Sequence, residues 1–426
     1  MQDLKMTRAV LLCAALIIQA APAAAQPAAQ PAVTSLGDAV AYAVEHNPQV
    51  IAGRAAVRAA EAQVQAVRAG AAPTLSLSAG SSVSGSPGSP SAAGQVTATV
   101  SYLIYDGGLR QAQISQAEAQ AEAARQAAAT TVADVGLQTV QAYMAVISGE
   151  QVVLLREQAV VQARTQLAAA EASFRAGRVP RADVVRAESV LAAATFDLVD
   201  ARGQAETRRV GLRTVMGLEA GPPLAVVAPP DPAPQEITEA DAVQRALQRP
   251  EMRRAAADVT AAEAALAAAM IQGGITVTLD GRYVLVSGGT TTGSPGTWSV
   301  GVGISIPVYD GGRRRAQVEQ ARANLDSARA RLESARFQVR QEALLARLQA
   351  AMVLAKVEAA RRSALAAREA FNVAQGRYAA GVGTILEVAT AQTELAAAEV
   401  ALVQAAADRW TTTAFLRRAV AVSVLP

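Results

Sequence analysis

The tetrapeptide Tyr105-Asp106-Gly107-Gly108 returns 204 positions later as Tyr309-Asp310-Gly311-Gly312. Each copy closes a stretch that alternates apolar and polar residues and opens a long alanine-rich one. Before the first, Val96, Ala98, Val100, Tyr102 and Ile104 alternate with Thr97, Thr99, Ser101 and Leu103; after it, Arg110 to Ala129 carries no turn signal. A switch from period 2 to helical period at one short signpost, made twice, means an internal duplication. The 426 residues therefore read as two copies of one unit, 26–220 and 236–419, joined by a Pro-rich linker at 221–235 and followed by a tail at 420–426.

Residues 1–25 stand outside this scheme. Lys5 and Arg8 precede the apolar run Ala9 to Ile18, and Ala23-Ala24-Ala25 offers a small-residue cleavage site, the pattern of a secretory signal peptide. Cys13, the only cysteine, falls inside it, so no disulfide is expected in the exported chain. Lipidation of Cys13 is disfavoured because Leu12 fills a position that wants a small residue. After Ile18 no charge-free apolar run is long enough for a transmembrane helix.

A net charge of +3 with acids and bases interspersed argues against a nucleic-acid partner. The single histidine, His46, has no second histidine or cysteine to join, and no Gly-rich phosphate loop follows a strand. Neither a metal, a cofactor nor an enzyme is expected.

In chain order, Ser35 and Asp38 form a capping box, and Asn47-Pro48 ends a short first helix or kinks it; Arg249-Pro250 stands in the same place in the second half. Strands are expected at about 74–79 and 95–105, joined by a loop from Gly80 to Gly94, and at about 275–286 and 297–308, joined by Ser287 to Gly296. A layer of a soluble sandwich and a membrane barrel both alternate in this way. The membrane is favoured because Tyr102, Tyr105, Tyr283, Trp298 and Tyr309, five of the nine Trp and Tyr residues, fall in these segments. Backbone edges cannot face lipid, and four strands fall short of the smallest common barrel of about eight, so a barrel would be shared between chains.

Beyond each signpost comes the longest helical pattern, from Leu109 to Ala176 in the first half. At about 1.5 Å per residue it reaches on the order of 100 Å, with Gly136 or Gly149 as places to bend. Val160, Ala163, Leu167, Ala170 and Phe174 hold heptad positions that resume at Val184, Ala187, Leu191, Ala194, Leu198 and Ala201. The seam recurs from Ala364 to Tyr378 and from Val388 to Ala405. Each half thus ends in an antiparallel helical hairpin. Their turns are Phe174-Arg175-Ala176-Gly177-Arg178-Val179-Pro180 and Tyr378-Ala379-Ala380-Gly381-Val382-Gly383-Thr384, each followed by an acid, Asp183 or Glu387. As helix-start acids these suit the macrodipole, with Arg186 an i,i+3 partner for Asp183; in a closed oligomer they would ring the mouth of a tube. The residues alone leave both readings open.

In combination, the duplicated halves, the hairpins closing on Tyr-Asp-Gly-Gly and the Phe/Tyr-x-x-Gly turn before a helix with an acid resemble the TolC-type outer-membrane efflux proteins over nearly the whole mature chain. The resemblance implies a mainly α fold with a membrane β-barrel. Four strands per chain would enter a homotrimeric barrel of about twelve, set in outer-membrane lipid, and the coiled-coil hairpins would form an α-barrel in the periplasm. The function it implies is a passive exit duct of a tripartite efflux or type I secretion system, working with a periplasmic adaptor and an inner-membrane transporter and without a cofactor.

By the same resemblance, Phe174, Gly177, Arg178, Tyr378, Gly381, Gly383 and Thr384 would meet the adaptor, and Asp183 and Glu387 would line the periplasmic aperture. Family members commonly have a second acid one turn on; here that position is Thr390. Gly383 stands where some members carry a basic gating residue. The signposts become strand-to-helix junctions: Tyr105 and Tyr309 at the membrane interface, Asp106 and Asp310 capping, and Gly107, Gly108, Gly311 and Gly312 turning the chain. The alternative is a structural or adhesive envelope protein with helical rods as spacers.

Overall fold

The computed structural model describes residues 33–86, 89–219, 224–233, 237–287 and 296–422. The expected signal peptide, Cys13, most of the leader, the loop at 288–295 and parts of the linker and tail lie outside the described residues. The order is β1 (Val33–Thr34), α1 (Leu36–His46), α2 (Pro48–Ala69), β2 (Thr74–Ser86), β3 (Ser89–Tyr105), α3 (Leu109–Arg175), α4 (Arg181–Met216), β4 (Ala225–Val226), α5 (Glu239–Ala246), α6 (Pro250–Ile271), β5 (Thr276–Ser287), β6 (Thr297–Ser305), α7 (Arg313–Ala379) and α8 (Ile385–Ala419).

The helix starts follow their caps. Ser35 and Asp38 form the expected capping box. Asn47 closes α1 and caps α2, its Oδ1 accepting from the Gln49 amide at 2.8 Å, while Pro48 takes the first helical position, where no N–H is needed. Both α3 and α7 run 67 residues unbroken. Gly149 serves close approach, not a bend: a Cβ there would stand 3.2 Å from Arg208 of α4. His46 stacks on Tyr42, and its Nδ1 lies 3.1 Å from the Tyr42 carbonyl oxygen.

The four long strands form one antiparallel sheet, β2-β3-β5-β6. Two expected boundaries are corrected. The Gly80–Gly94 stretch is not a loop: β2 continues to Ser86 and pairs with β3 from Ser89, because ladder bonds belong to the backbone and small polar residues can continue them. The fourth strand stops at Ser305 instead of about 308, since Pro307 has no N–H to give.

The main core lies midway along the helices, where Leu36, Val40, Val135, Tyr143, Leu212, Met216 and Trp410 are buried together. Tyr143 ties the linker to it: its hydroxyl donates to the Val227 carbonyl at 2.6 Å and accepts from the Val227 amide at 2.9 Å. Across the same level runs an ion cluster. Arg249, 2% exposed, pairs with Glu251 at 2.7 Å and Glu342 at 2.6 Å. Arg418 reaches Asp134, Glu251 and Glu342, so α3, α6, α7 and α8 are held at one node.

Candidate functional site

Two regions carry the geometry of interest, and both sit far from the core. The first is the sheet. Cross-strand partners share a face, so the ladders Leu75↔Val100, Val100↔Gly281 and Gly281↔Val300, and likewise Tyr102↔Leu279 and Leu279↔Val302, assemble one apolar surface over all four strands. The opposite face holds Thr74, Ser76, Ser78, Thr97, Thr99, Ser101, Thr278, Asp280 and Arg282; Ser101 donates to Asp280 there at 2.7 Å. Leu75, Leu77, Trp298, Val300, Val302 and Ile304 are each more than half exposed in the single chain. A register shift between Leu103 and Tyr105 leaves Ile104 unpaired and puts Tyr105 opposite Val277, on the apolar face. Tyr283 and Trp298 pair across β5 and β6. They lie six residues beyond Val277, about 20 Å along the strand. The aromatics therefore bracket an apolar band at two heights.

No helix among the described residues is long and apolar enough to cross a membrane, an observation that concerns helices only.

At each junction the glycines take up the left-handed region: φ is 68° and 93° at Gly107 and Gly108, 66° and 85° at Gly311 and Gly312. The formal N-caps are Gly108 and Gly312, and the aspartate two residues earlier does the capping. Asp106 accepts from the amides of Gly108 at 3.0 Å and Arg110 at 2.9 Å; Asp310 accepts from Gly312 and Arg314, both at 2.9 Å.

The second region is the tip of the helical hairpins, at the other end of α3 and α7. Both turns close on a left-handed glycine, Gly177 at φ 70° and Gly381 at φ 76°. The Arg178 amide returns to the Ser173 carbonyl at 2.9 Å and the Val382 amide to the Arg377 carbonyl at 3.0 Å, the helix-ending pattern that glycine permits. Helix starts differ: Pro180 offers α4 no side-chain cap, whereas Thr384 accepts from the Glu387 amide at 3.2 Å. Phe174 and Val382 are exposed apolar residues at the tips.

Gly383 is hemmed in: a Cβ there would lie 3.0 Å from Arg377 Cβ and 3.1 Å from the Tyr378 amide nitrogen. Any side chain at this position, basic or not, would force the turn to shift.

The acids do not behave alike. Glu387 is exposed and reaches Arg377 at 3.8 Å, while Thr390 is exposed one turn on. Asp183 is half-buried and forms no ion pair with Arg186 among the described residues, so the expected i,i+3 pair is absent. It acts instead on Tyr378 in the other hairpin. Burial, and after it the Asp183 carboxylate, push the Tyr378 hydroxyl above the usual phenol range, and that hydroxyl has no hydrogen-bond partner among the described residues. Asp183 and Tyr378 are brought together by tertiary packing alone.

The sequence reading also missed a cavity of about 210 Å³ between the hairpins, lined by Gln158 and Gln162 of α3, Phe371 of α7 and Gln392 and Glu399 of α8. Gln392 is 7% exposed and its Oε1 is unpartnered among the described residues. A polar residue beside the heptad stripe was the only signal. No cluster of metal-ligating side chains occurs among the described residues.

With this geometry in hand, comparison with known proteins is informative. A family model described as outer membrane efflux protein matches the chain twice, at residues 40–218 and 242–422. The chain is 31% identical over 391 residues to protein CyaE of Bordetella pertussis, covering 88% of this chain and 82% of that one. It is 28% identical to the outer membrane efflux protein BepC of Brucella suis, with coverage of 88% and 82%. Among solved structures, a membrane protein from Pseudomonas aeruginosa shares the fold with a TM-score of 0.79, 24% identity and 90% of each chain covered.

Proposed function

This chain belongs to the outer membrane efflux protein family, a family of outer-membrane channels with a helical barrel in the periplasm and not of enzymes, and on that premise we propose how it builds and gates its duct. The carrying observation is a sheet whose one face is apolar across all four strands and whose two edges, β2 and β6, are unpaired among the described residues. Lipid forbids open edges, so the sheet closes by joining copies of itself.

The repeat supplies the joint. Thr74 pairs with Ser101 and Thr276 with Ser305, so β2 maps onto β5 at an offset of 202 and β3 onto β6 at 204. The internal seam between β3 and β5 then prescribes an equivalent seam between β6 and the neighbour's β2, in which Ser305 stands opposite Ser78 just as Ser101 stands opposite Asp280. The helices agree. α3 packs between α2 and α6, whereas α7, beside its hairpin partner α8 and the short α5, has α6 on one side and no counterpart of α2 on the other among the described residues, which leaves room for the neighbour's α2. Such a heterologous contact closes into a ring, here a homotrimer with about twelve strands.

Residues 1–25 are then the export signal, 26–220 and 236–419 the two halves of the wall, and 221–235 the strap between them. The duct itself is passive, working with a periplasmic adaptor and an inner-membrane transporter of a tripartite efflux or type I secretion system. The adaptor meets the tip turns around Gly177 and Gly381, through Phe174, Arg178, Tyr378, Gly383 and Thr384. Asp183 and Glu387 line the aperture, with Thr390 in place of a second acid. Opening moves one hairpin against the other, a motion that would change the charge of Asp183 felt at the Tyr378 hydroxyl.

Reconstituted in planar bilayers, the full chain is expected to conduct as an oligomer. Asp183→Asn with Glu387→Gln is expected to weaken cation preference severalfold. Absence of conductance would sink the duct, and unchanged selectivity would return the acids to helix capping.

A further inference from the structure

The second strand-to-helix junction carries a charge that the first does not. After Tyr105-Asp106-Gly107-Gly108 the helix opens Leu109-Arg110-Gln111; after Tyr309-Asp310-Gly311-Gly312 it opens Arg313-Arg314-Arg315. Cations in a first turn oppose the helix macrodipole and one another. In the first copy the single arginine is neutralised, Arg110 Nε donating to Asp106 at 2.8 Å. In the second, Asp310 accepts the same two amide bonds, from Gly312 and Arg314, but no arginine side chain among the described residues. The Arg314 guanidinium turns to the Met270 carbonyl, and Arg313 and Arg315 form no ion pair among the described residues.

Two acids line the same groove, Asp310, whose charge acts on Arg313, and Glu319; against Arg313, Arg314, Arg315 and Arg322 they leave it net positive. Glu319, the next carboxylate along α7, pairs with Arg322. Between Glu263 and Asp280 the chain has no carboxylate, and between Glu61 and Asp106, the stretch a neighbouring copy would bring alongside, it has none either. That stretch adds another cation, Arg68, itself engaged with Glu118. Ring closure leaves Arg315 accessible, since its repeat counterpart Gln111 stays exposed although α3 is packed on both sides, and Leu109, the counterpart of Arg313, stays half-exposed.

Position supplies the missing anion. Arg313 and Arg315 line a groove of about 630 Å³ together with Val308 and Tyr309, and Tyr309 is 89% exposed. Tyr309 is the repeat counterpart of Tyr105, which lies on the apolar face of the sheet. At about 1.5 Å per residue both arginines fall within roughly 5 Å of the helix start, inside a headgroup layer some ~6 Å thick. We infer that this groove binds the phosphate of an anionic phospholipid in the membrane leaflet facing the helices, with Arg313 and Arg315 as its ligands and Tyr309 and Val308 against the acyl chain. The inference rests on the membrane reading of the sheet.

The test uses the full chain in vesicles of phosphatidylcholine and phosphatidylglycerol, counting lipids that stay bound after detergent extraction by native mass spectrometry. The wild type is expected to retain phosphatidylglycerol over phosphatidylcholine by on the order of tenfold, the scale for two cations at an anionic surface. Arg313→Leu with Arg315→Gln, which installs the residues of the first junction, is expected to abolish the preference while the chain still inserts and conducts. An inserted wild type without preference, or a double variant that keeps it, overturns the lipid site and leaves the duct standing. Displacement of the lipid by inorganic phosphate alone would also overturn it, in favour of a free-anion site. A chain that never enters the vesicles takes down the membrane reading itself.

Discussion

The two junctions share four residues, the same glycine dihedrals and the same carboxylate-to-amide bonds, yet one is covered and the other bare. Asp106 is 7% exposed and a Cβ on Gly107 would come within 3.3 Å of Ile271; around Gly311 and Gly312 nothing lies within 4 Å. Local sequence dictates the turn. Cover is dictated by what stands next to it, and the second repeat lacks the neighbour that the first finds inside its own chain. In the proposed ring, the difference between the copies marks where a neighbouring copy would sit.

The most drastic way to break that map is covalent. With Cys13, the one native cysteine, expected to leave with the proposed signal peptide, Ser78→Cys and Ser305→Cys, which face different strands within one chain, are expected to link into a covalent trimer on a denaturing gel under oxidation. Monomers only would refute the inferred seam.

A second contrast lies at the bend before α2 and α6. Asn47 caps its helix and donates to the Val215 carbonyl at 2.7 Å. Its counterpart Arg249 instead anchors the ion cluster. Removing Arg249 leaves Glu251 and Glu342 to Arg418 alone, so Arg249→Ala is expected to cost about 2–3 kcal/mol, below the ~3–5 of a fully buried pair because Glu342 is partly exposed and Arg418 still reaches both acids. Asn47→Ala should cost about 1–2 kcal/mol as a lost cap. Guanidinium unfolding midpoints rank the two, and the reverse order would mean the cluster is incidental.

The same bend separates the repeats by pH. Burial pushes the Glu251 carboxyl up, but the Arg249 hydrogen bond and the charges of Arg249 and Arg418 outweigh it and hold it below the usual glutamate range. Its stabilisation is thus full above the unfolded-state value, about 4.3, and lost as pH falls through the lowered folded value. Acid titration of the midpoint should be flatter in Glu251→Gln than in wild type; parallel curves would remove Glu251 from the account.

The smallest effect sharpens the opening contrast. Gly107→Ala and Gly311→Ala both meet a left-handed φ, costing about 1 kcal/mol, but only Gly107→Ala also presses on Ile271 in the isolated chain. Detergent-dissociated monomer should distinguish them by a few tenths to about 1 kcal/mol, and the assembled ring should narrow the gap.

Much of the fold was legible because it is local. Alternation predicted the strands, the Ser35 cap predicted the start of α1, Asn47-Pro48 predicted a break after it, and the duplicated signpost predicted both junctions. The strand extent through Gly80–Gly94 was missed because composition reports on side chains while the ladder is made by backbone. At the tips, Gly177 and Gly381 were legible as turns. The Asp183–Tyr378 proximity was not, since it joins residues 195 positions apart, and Arg186 offered a nearer partner that the helix leaves unused. Nor could Arg249 announce that it would sit buried among acids from α6 and α7.

By itself, then, the sequence determined where the backbone changes from strand to helix, which strand face is apolar and where each hairpin reverses. These depend on dihedral preferences and on side-chain period within a few residues. Tertiary structure alone decided which hairpin faces touch, which arginines find an acid and which are left to the surroundings, and which edges stay open. Such outcomes turn on how 67-residue helices lie against one another. Identical tetrapeptides consequently end up with different neighbours and different work.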